Sequence, residues 1–268
     1  MALFDIIMLS LIQGITEFLP ISSSGHLALW PLLTGRADQG VTMDVAVHIG
    51  TLVAVCLYFR ADIGRLLTGL RDLFRGQTGT ADARLLLLIA LATVPAVLFG
   101  LILKLAGVMA VLRTVEVIGW ATLIGGILLW IADRYGRESR TAESWGPRDA
   151  MLMGLAQAVA LIPGTSRSGI TMTMGRALGL NRVDAARYSM LMAVPIILAA
   201  GGGETLGLIA GGDLQLGSEL LLGAALSCLS ALAALWAMFR MFQGDWTMTP
   251  FVIYRLILGV ALLAIAYG

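Results

Sequence analysis

Long apolar runs, two of them broken near the middle by Ser, Gly and Pro, restrict this chain to the folds a bilayer permits. A spanning helix needs about 20 mainly apolar residues. Val41–Phe59, Leu85–Ala106, Thr114–Ala132, Ser189–Ala210, Leu220–Phe239 and Phe251–Tyr267 meet that length. Phe4–Leu33 and Ala150–Leu180 are also apolar, but are interrupted at Leu19–Gly25 and Pro163–Gly169. Each reads as two half-length helices joined by a polar turn, the pattern of a re-entrant hairpin. Non-helical backbone persists at membrane depth only where protein buries it or water reaches it. Composition agrees, since 13% of residues are charged against about 25% in soluble domains. A net charge of +1 gives no reason to expect nucleic acid as a partner. Cys56 and Cys228 lie in apolar runs without metal or disulfide spacing. The first run holds Asp5, Gln13 and Glu17 and has no basic start, so it reads as retained structure rather than a signal peptide.

Basic residues set the threading. Arg60, Arg65, Arg71, Arg75 and Arg84 follow the first full span, and Arg134, Arg137, Arg140 and Arg148 follow the third. Arg176, Arg182 and Arg187 follow the second break, and Arg240 follows the fifth span. The connection Gly211–Glu219 is acidic. Placing every Arg-rich segment in the cytoplasm puts both termini outside, with one hairpin entering from each side. The expected fold is therefore an all-α polytopic membrane protein with six transmembrane helices plus two re-entrant helical hairpins in an inverted repeat. Residues 1–268 form a single membrane domain, with repeats at approximately 1–140 and 145–268. Gln13, Ser22, Ser24 and Gly25 echo Gln157, Ser166, Ser168 and Gly169 at one constant offset. Paired interrupted helices in inverted repeats place their site where the breaks meet.

The first break, Gln13-Gly-Ile-Thr-Glu17-Phe-Leu-Pro-Ile-Ser22-Ser23-Ser24-Gly-His26, sets Gln13 and Glu17 on one helical face. A carboxylate at that depth is a functional candidate unless water merely hydrates it in a vestibule. His26 follows three hydroxyls and can serve as acid, base or nucleophile, or as a structural hydrogen-bonding group. The second break, Pro163-Gly164-Thr-Ser166-Arg167-Ser168-Gly-Ile-Thr171, offers backbone N–H groups at a helix start and an Arg fork suited to phosphate. Ser166, Ser168 and Thr171 add hydroxyls. The plainer alternative makes the serines caps and pairs Arg167 with an acid such as Glu17. Together the breaks supply the charge neutralisation, positioning and activated nucleophile that phosphoryl chemistry requires. A substrate reaching this depth is a phosphate-bearing lipid. His48 and Asp44 begin the first full span and line the outer mouth or an interface. Glu116 and Glu204 lie near outer helix ends, and Pro95 and Pro195 are expected kinks.

Gln13-Gly-Ile-Thr-Glu17 with its serine-rich turn resembles the (Glu/Gln)-x-x-x-Glu motif of the bacterial undecaprenyl-pyrophosphate phosphatases, the bacitracin-resistance proteins. Pro163-Gly-Thr-Ser-Arg-Ser-Gly-Ile-Thr171 resembles that family's Pro-Gly-x-Ser-Arg-Ser-x-x-Thr motif. The resemblance covers essentially the whole chain. It implies an inner-membrane hydrolase that converts the C55 lipid pyrophosphate to its monophosphate and inorganic phosphate, recycling the carrier for peptidoglycan synthesis. It further implies a divalent cation, Mg2+ or Ca2+, and a site facing the periplasm. By matching position, Glu17, Ser23, His26 and Arg167 are catalytic, and Glu17 is the candidate metal ligand. Gln13, Ser22, Ser24, Gly164, Ser166, Ser168 and Thr171 are substrate-binding. Gln13 stands where many members carry Glu, which weakens a two-carboxylate metal clamp. Either Ser23 or His26 is the nucleophile. A polyprenyl-phosphate flippase is the alternative function, and a homodimer is left open.

Overall fold

The computed structural model describes residues 2–35, 40–141, 144–211 and 217–268. These form helices α1 (Leu3–Phe18), α2 (Ser23–Thr34), α3 (Gly40–Tyr58), α4 (Arg60–Phe74), α5 (Ala81–Leu105) and α6 (Met109–Leu112). They continue with α7 (Val115–Tyr135), α8 (Pro147–Val159), α9 (Arg167–Ala177), α10 (Arg182–Gly211), α11 (Ser218–Phe242) and α12 (Thr249–Tyr267). No β-strand forms among the described residues. Six helices, α3, α5, α7, α10, α11 and α12, are long and apolar enough to cross a bilayer, and the chain is a multi-pass membrane protein. Most of the acidic Gly211–Glu219 connection, and the side chain of Glu204, lie outside the described residues.

Observed spans match the apolar runs to within a turn, apart from one start. Helix α10 begins at Arg182 because the Asn181 side-chain oxygen accepts from Asp184 N at 2.8 Å, capping a polar first turn that hydropathy passes over. Thr80 and Thr114 cap α5 and α7 in the same way. Helix α4 lies in what the sequence presented only as an Arg-rich segment. It turns Leu67, Leu70 and Phe74 outward on one face, the pattern of a helix lying in the membrane interface.

Packing crosses between the two halves of the chain. Helix α1 lies along α11, and α8 lies along α5, so each half's first short helix is seated on the other half. Close approach at these seams requires glycine. A Cβ on Gly14 would meet Ser230 Oγ at 1.9 Å, and one on Gly154 would meet Ala92 O at 2.5 Å. Helix α3 packs on α11 and α10, α7 on α12, and α9 on α10 and α7.

Polarity is arranged inside out. Leu229 and Ile257 on the spans are 64% and 66% exposed, whereas Gln13, Ser168, Thr171 and Arg255 are fully buried. Large exposed apolar side chains are what a lipid-facing surface carries, and polar groups are sequestered where they find partners.

The Arg-rich connections hold themselves together by ion pairs: Arg65 with Asp82, Arg187 with Asp62, and Arg182 with Asp133. Arg140 grips Asp149 through both Nη atoms, at 2.8 and 2.7 Å, fastening the connection after α7 to the first turn of α8. The Arg140 hydrogen bonds outweigh burial and hold the Asp149 carboxyl below its ordinary range. A depressed carboxyl stabilises the fold above its unfolded value, and that contribution is lost as pH falls through the folded value. Asp149→Asn is expected to destabilise by about 1–2 kcal/mol at neutral pH. Thermal unfolding in detergent should show the gap to wild type closing as pH is lowered below about 4.

Candidate functional site

Two serines define the breaks. Ser22 (φ 75°) and Ser166 (φ 67°) are the only non-glycine residues with positive φ among the described residues. A side chain in the left-handed region costs on the order of 1–3 kcal/mol and persists only where its surroundings over-determine it. Each serine is the N-cap of the second helix in its pair. Ser22 Oγ accepts from Gly25 N at 3.4 Å, and Ser166 Oγ accepts from Gly169 N at 3.1 Å. Each also meets the hydroxyl two residues on, Ser24 at 3.3 Å and Ser168 at 3.2 Å. The sequence echo is thus an echo in conformation.

The two turns are stitched face to face. Gly164 N donates to Ser24 Oγ at 3.3 Å, and Ser168 Oγ donates to Leu19 O at 2.9 Å. Thr171 Oγ1 donates to Arg167 O and meets Ser189 Oγ at 2.6 Å. The residues expected to bind substrate, Ser22, Ser24, Gly164, Ser166, Ser168 and Thr171, thus all have partners within the two turns. Their hydroxyls and the Gly164 N–H find these partners because polar groups in a membrane interior must be satisfied, while Ser24 also stands exposed.

What the stitching leaves open is a cluster around Glu17, at the last turn of α1. Ser23 Oγ donates to Glu17 Oε2 at 2.8 Å, and Gln13 Nε2 donates to the same oxygen at 3.0 Å. Arg167 Nη2 reaches across from the second break to Glu17 Oε1 at 3.3 Å, while its Nη1 donates to Ser189 O. The Arg167 guanidinium also stands 6.0 Å from the centre of the Phe18 ring. The plain pairing of Arg167 with Glu17 is therefore present, but it does not exhaust Glu17, which also accepts the Ser23 proton donor. His48 Nε2 lies 4.0 Å from Glu17 Oε2, so His48 belongs to the site rather than to an interface. Removing either partner of a buried pair strands the other charge, a loss of about 3–5 kcal/mol.

His26, one turn beyond Ser23 on α2, bonds groups outside this set. Its Nδ1 bonds Ser22 O at 2.7 Å, and its Nε2 bonds the Tyr254 hydroxyl.

Glu17 is the only carboxylate the cluster contains, and no group of three or more His, Cys, Asp or Glu suited to a metal exists among the described residues. One atom nonetheless favours a hard cation. Gln13 Oε1 is buried without a hydrogen-bond partner beside the Glu17 carboxylate. An orphan carbonyl oxygen, one carboxylate and a hydroxyl form an oxygen set of the kind that holds Mg2+ together with substrate phosphates. The second half lacks this set. Gln157 is buried with both amide atoms unpartnered, and Leu161 stands where Glu17's counterpart would be.

Arg255 is the residue that sequence reasoning missed. It lies on α12, fully buried, and its donors go to backbone carbonyls from both breaks and from α7. Nε donates to Thr122 O (3.1 Å), Nη1 to Pro20 O (3.3 Å), and Nη2 to Thr165 O (2.9 Å), Gly164 O (3.3 Å) and Ala121 O (3.3 Å). An arginine within an apolar span is a functional candidate by default; the signal was in the sequence. Tyr254 and Ser189 were also passed over, and nothing in their local sequence marks them.

Fold and site define a polytopic membrane protein whose two interrupted helices hold one ion-paired, hydroxyl-bearing centre. The family model described as bacitracin resistance protein BacA matches residues 6–261, and the chain belongs to that family. It is similar to an undecaprenyl-diphosphatase of Jannaschia sp. (strain CCS1), 52% identical over 100% of both chains. Similar proteins of the same name occur in Roseobacter denitrificans and Ruegeria pomeroyi, at 50% and 51% identity, again over 100% of each chain.

Arg255→Met would take a donor from five carbonyls at the heart of the fold. Gly164 O would keep Thr122 Oγ1, whereas Pro20 O and Thr165 O would have no replacement in the turns among the described residues. It is expected to lower thermal stability by at least about 3 kcal/mol and to abolish activity. Arg255→Lys, whose three donors cannot span the same fan, should fall between Met and wild type in a detergent melting series.

Proposed function

We propose that this protein hydrolyses undecaprenyl diphosphate to undecaprenyl phosphate and inorganic phosphate. The observation that carries this reading is the Ser23 hydroxyl donated to Glu17, with Glu17 paired to Arg167 across the two turns. The names of its full-length relatives support the same substrate. None of the three is named for lipid transport, and nothing here favours a flippase.

Ser23 is the nucleophile. Its proton passes to Glu17 Oε2 as Oγ attacks the terminal phosphorus. The bond from that phosphorus to the bridging oxygen breaks, and undecaprenyl phosphate leaves. Arg167 exchanges part of its contact with Glu17 for the phosphate oxygens, offsetting the charge that develops there. Water then attacks the phosphoserine, its proton goes to His26 Nε2, and Ser23 recovers its own from Glu17 as phosphate departs. Gln13 and Glu17 would hold a Mg2+ or Ca2+ ion, which supplies charge neutralisation for the diphosphate when bound. Ser22, Ser24, Gly164, Ser166, Ser168 and Thr171 shape the turns that would receive the diphosphate.

The two halves are inverted repeats, each a re-entrant hairpin followed by three spans. Cytoplasmic placement of the Arg-rich connections, in the bacterial inner membrane, opens the Glu17 cluster to the periplasmic side. The bent-back passages of α1–α2 and α8–α9 are supported by their short helices and by the matching serine caps.

Purified protein should release phosphate from a long-chain isoprenyl diphosphate, and EDTA should suppress it. Glu17→Ala, Ser23→Ala and Arg167→Ala should each lower kcat by at least about 10²-fold. Quenched reactions should hold an alkali-labile, acid-stable phosphoserine. An acid-labile phosphohistidine would move the nucleophile to His26, and no release from folded wild-type protein would overturn the hydrolase.

A further inference from the structure

The catalytic histidine of this scheme has a partner that the scheme does not use. His26 sits on α2, which packs on α1 and only grazes α7. Its ring, however, is bound on both nitrogens. Ser22 O can only accept, so Nδ1 carries the hydrogen in that 2.7 Å bond. A neutral imidazole protonated at Nδ1 presents a lone pair at Nε2, and the Tyr254 hydroxyl donates to it. Tyr254 comes from α12, one residue before the arginine that anchors both turns. The two rings lie nearly parallel, 10° apart in plane with centres separated by 5.5 Å.

This geometry selects one tautomer and one ring orientation. Free imidazole favours neither strongly, and the second hydrogen bond decides which nitrogen remains a base. Ser22 is itself fixed by its positive φ and by its cap to Gly25, so the acceptor for Nδ1 is rigid. Tyr254 supplies the matching constraint at Nε2 from the opposite wall. His48 shows what the arrangement looks like without such a partner. Its Nδ1 also donates to a carbonyl one turn back, Asp44 O at 2.7 Å, and its Nε2 faces the Glu17 carboxylate 4.0 Å away.

We propose that Tyr254 is the positioning residue of His26, holding Nε2 as an aimed proton acceptor across the seam between α2 and α12. The inference rests on the hydrolase reading above, in which His26 Nε2 takes the proton of the attacking water. Substrate or water displaces the Tyr254 hydroxyl from Nε2 at that step, and the hydroxyl returns to it once phosphate has left with the proton that Nε2 took.

Only two histidines occur in the chain, so 15N-histidine labelling in detergent tests the proposal directly. His26→Asn assigns the signals by subtraction. Wild-type His26 should show a protonated Nδ1 and a hydrogen-bonded, unprotonated Nε2, and Tyr254→Phe should move the Nε2 resonance towards that of a free lone pair. In the phosphate-release assay, Tyr254→Phe should lower kcat about tenfold with KM within twofold. The same change in a His26→Ala background should have no further effect, whereas a merely structural role would multiply the two losses. A protonated Nε2 in the wild type, an unmoved resonance in the variant, or independent losses would overturn the proposal. Should Tyr254→Phe fail to fold, the wild-type tautomer alone decides. Absence of phosphate release by wild-type protein would sink the hydrolase reading and leave the nitrogen signals to judge the Tyr254 contact separately.

Discussion

Backbone that leaves the helix inside a bilayer has no water to bond, and one guanidinium largely resolves that problem here. Arg255 spreads its donors over Pro20 O at the first break, Gly164 O and Thr165 O at the second, and Ala121 O and Thr122 O on α7. Its charge is stabilised by carbonyl dipoles rather than by a carboxylate. That choice leaves Glu17 to Arg167 and Ser23. The planar fork matters, since a lysine ammonium is a point donor and cannot reach five acceptors arranged on three sides. With the carbonyls satisfied, the Ser22 and Ser166 caps can hold their strained φ values, and the two turns can face one another.

From that frame follows a division of labour between halves that share a backbone pattern. Both breaks cap with serine, and both pair that serine with a second hydroxyl. Their chemistry diverges at a few positions. The first half carries Glu17, where the second has Leu161, and the second carries Arg167, where the first has Ser23. Carboxylate, Ser23 hydroxyl and cation therefore come together only when the two turns meet. Two interrupted helix pairs of like pattern thus form together a centre that neither half contains.

Much of this was legible beforehand. The six spans, the two breaks and their echo followed from hydropathy and from Ser, Gly and Pro placement, because membrane burial imposes a length and a polarity that sequence cannot disguise. Glu17, Ser23 and Arg167 stood out because charges and hydroxyls are expensive at that depth unless something requires them. The partners of the serines were not legible. A hydroxyl looks the same in sequence whatever it bonds, and only the structure shows that Ser24, Ser166, Ser168 and Thr171 have partners within the protein. Arg255 carried the same signal as Glu17 but sat far from both motifs.

Local pattern by itself determined the membrane class, the helix count apart from α4 and the short α6, and the residue types gathered at each break. These depend on hydrophobicity and short-range turn chemistry, which are properties of neighbouring residues. Tertiary structure decided which groups are free and which are spent. The proximity of Arg167 to Glu17 and of Tyr254 to His26 joins residues from opposite halves of the chain. Such contacts arise from how the two halves pack, with Gly14 and Gly154 permitting their close seams, and no periodicity along one segment encodes them.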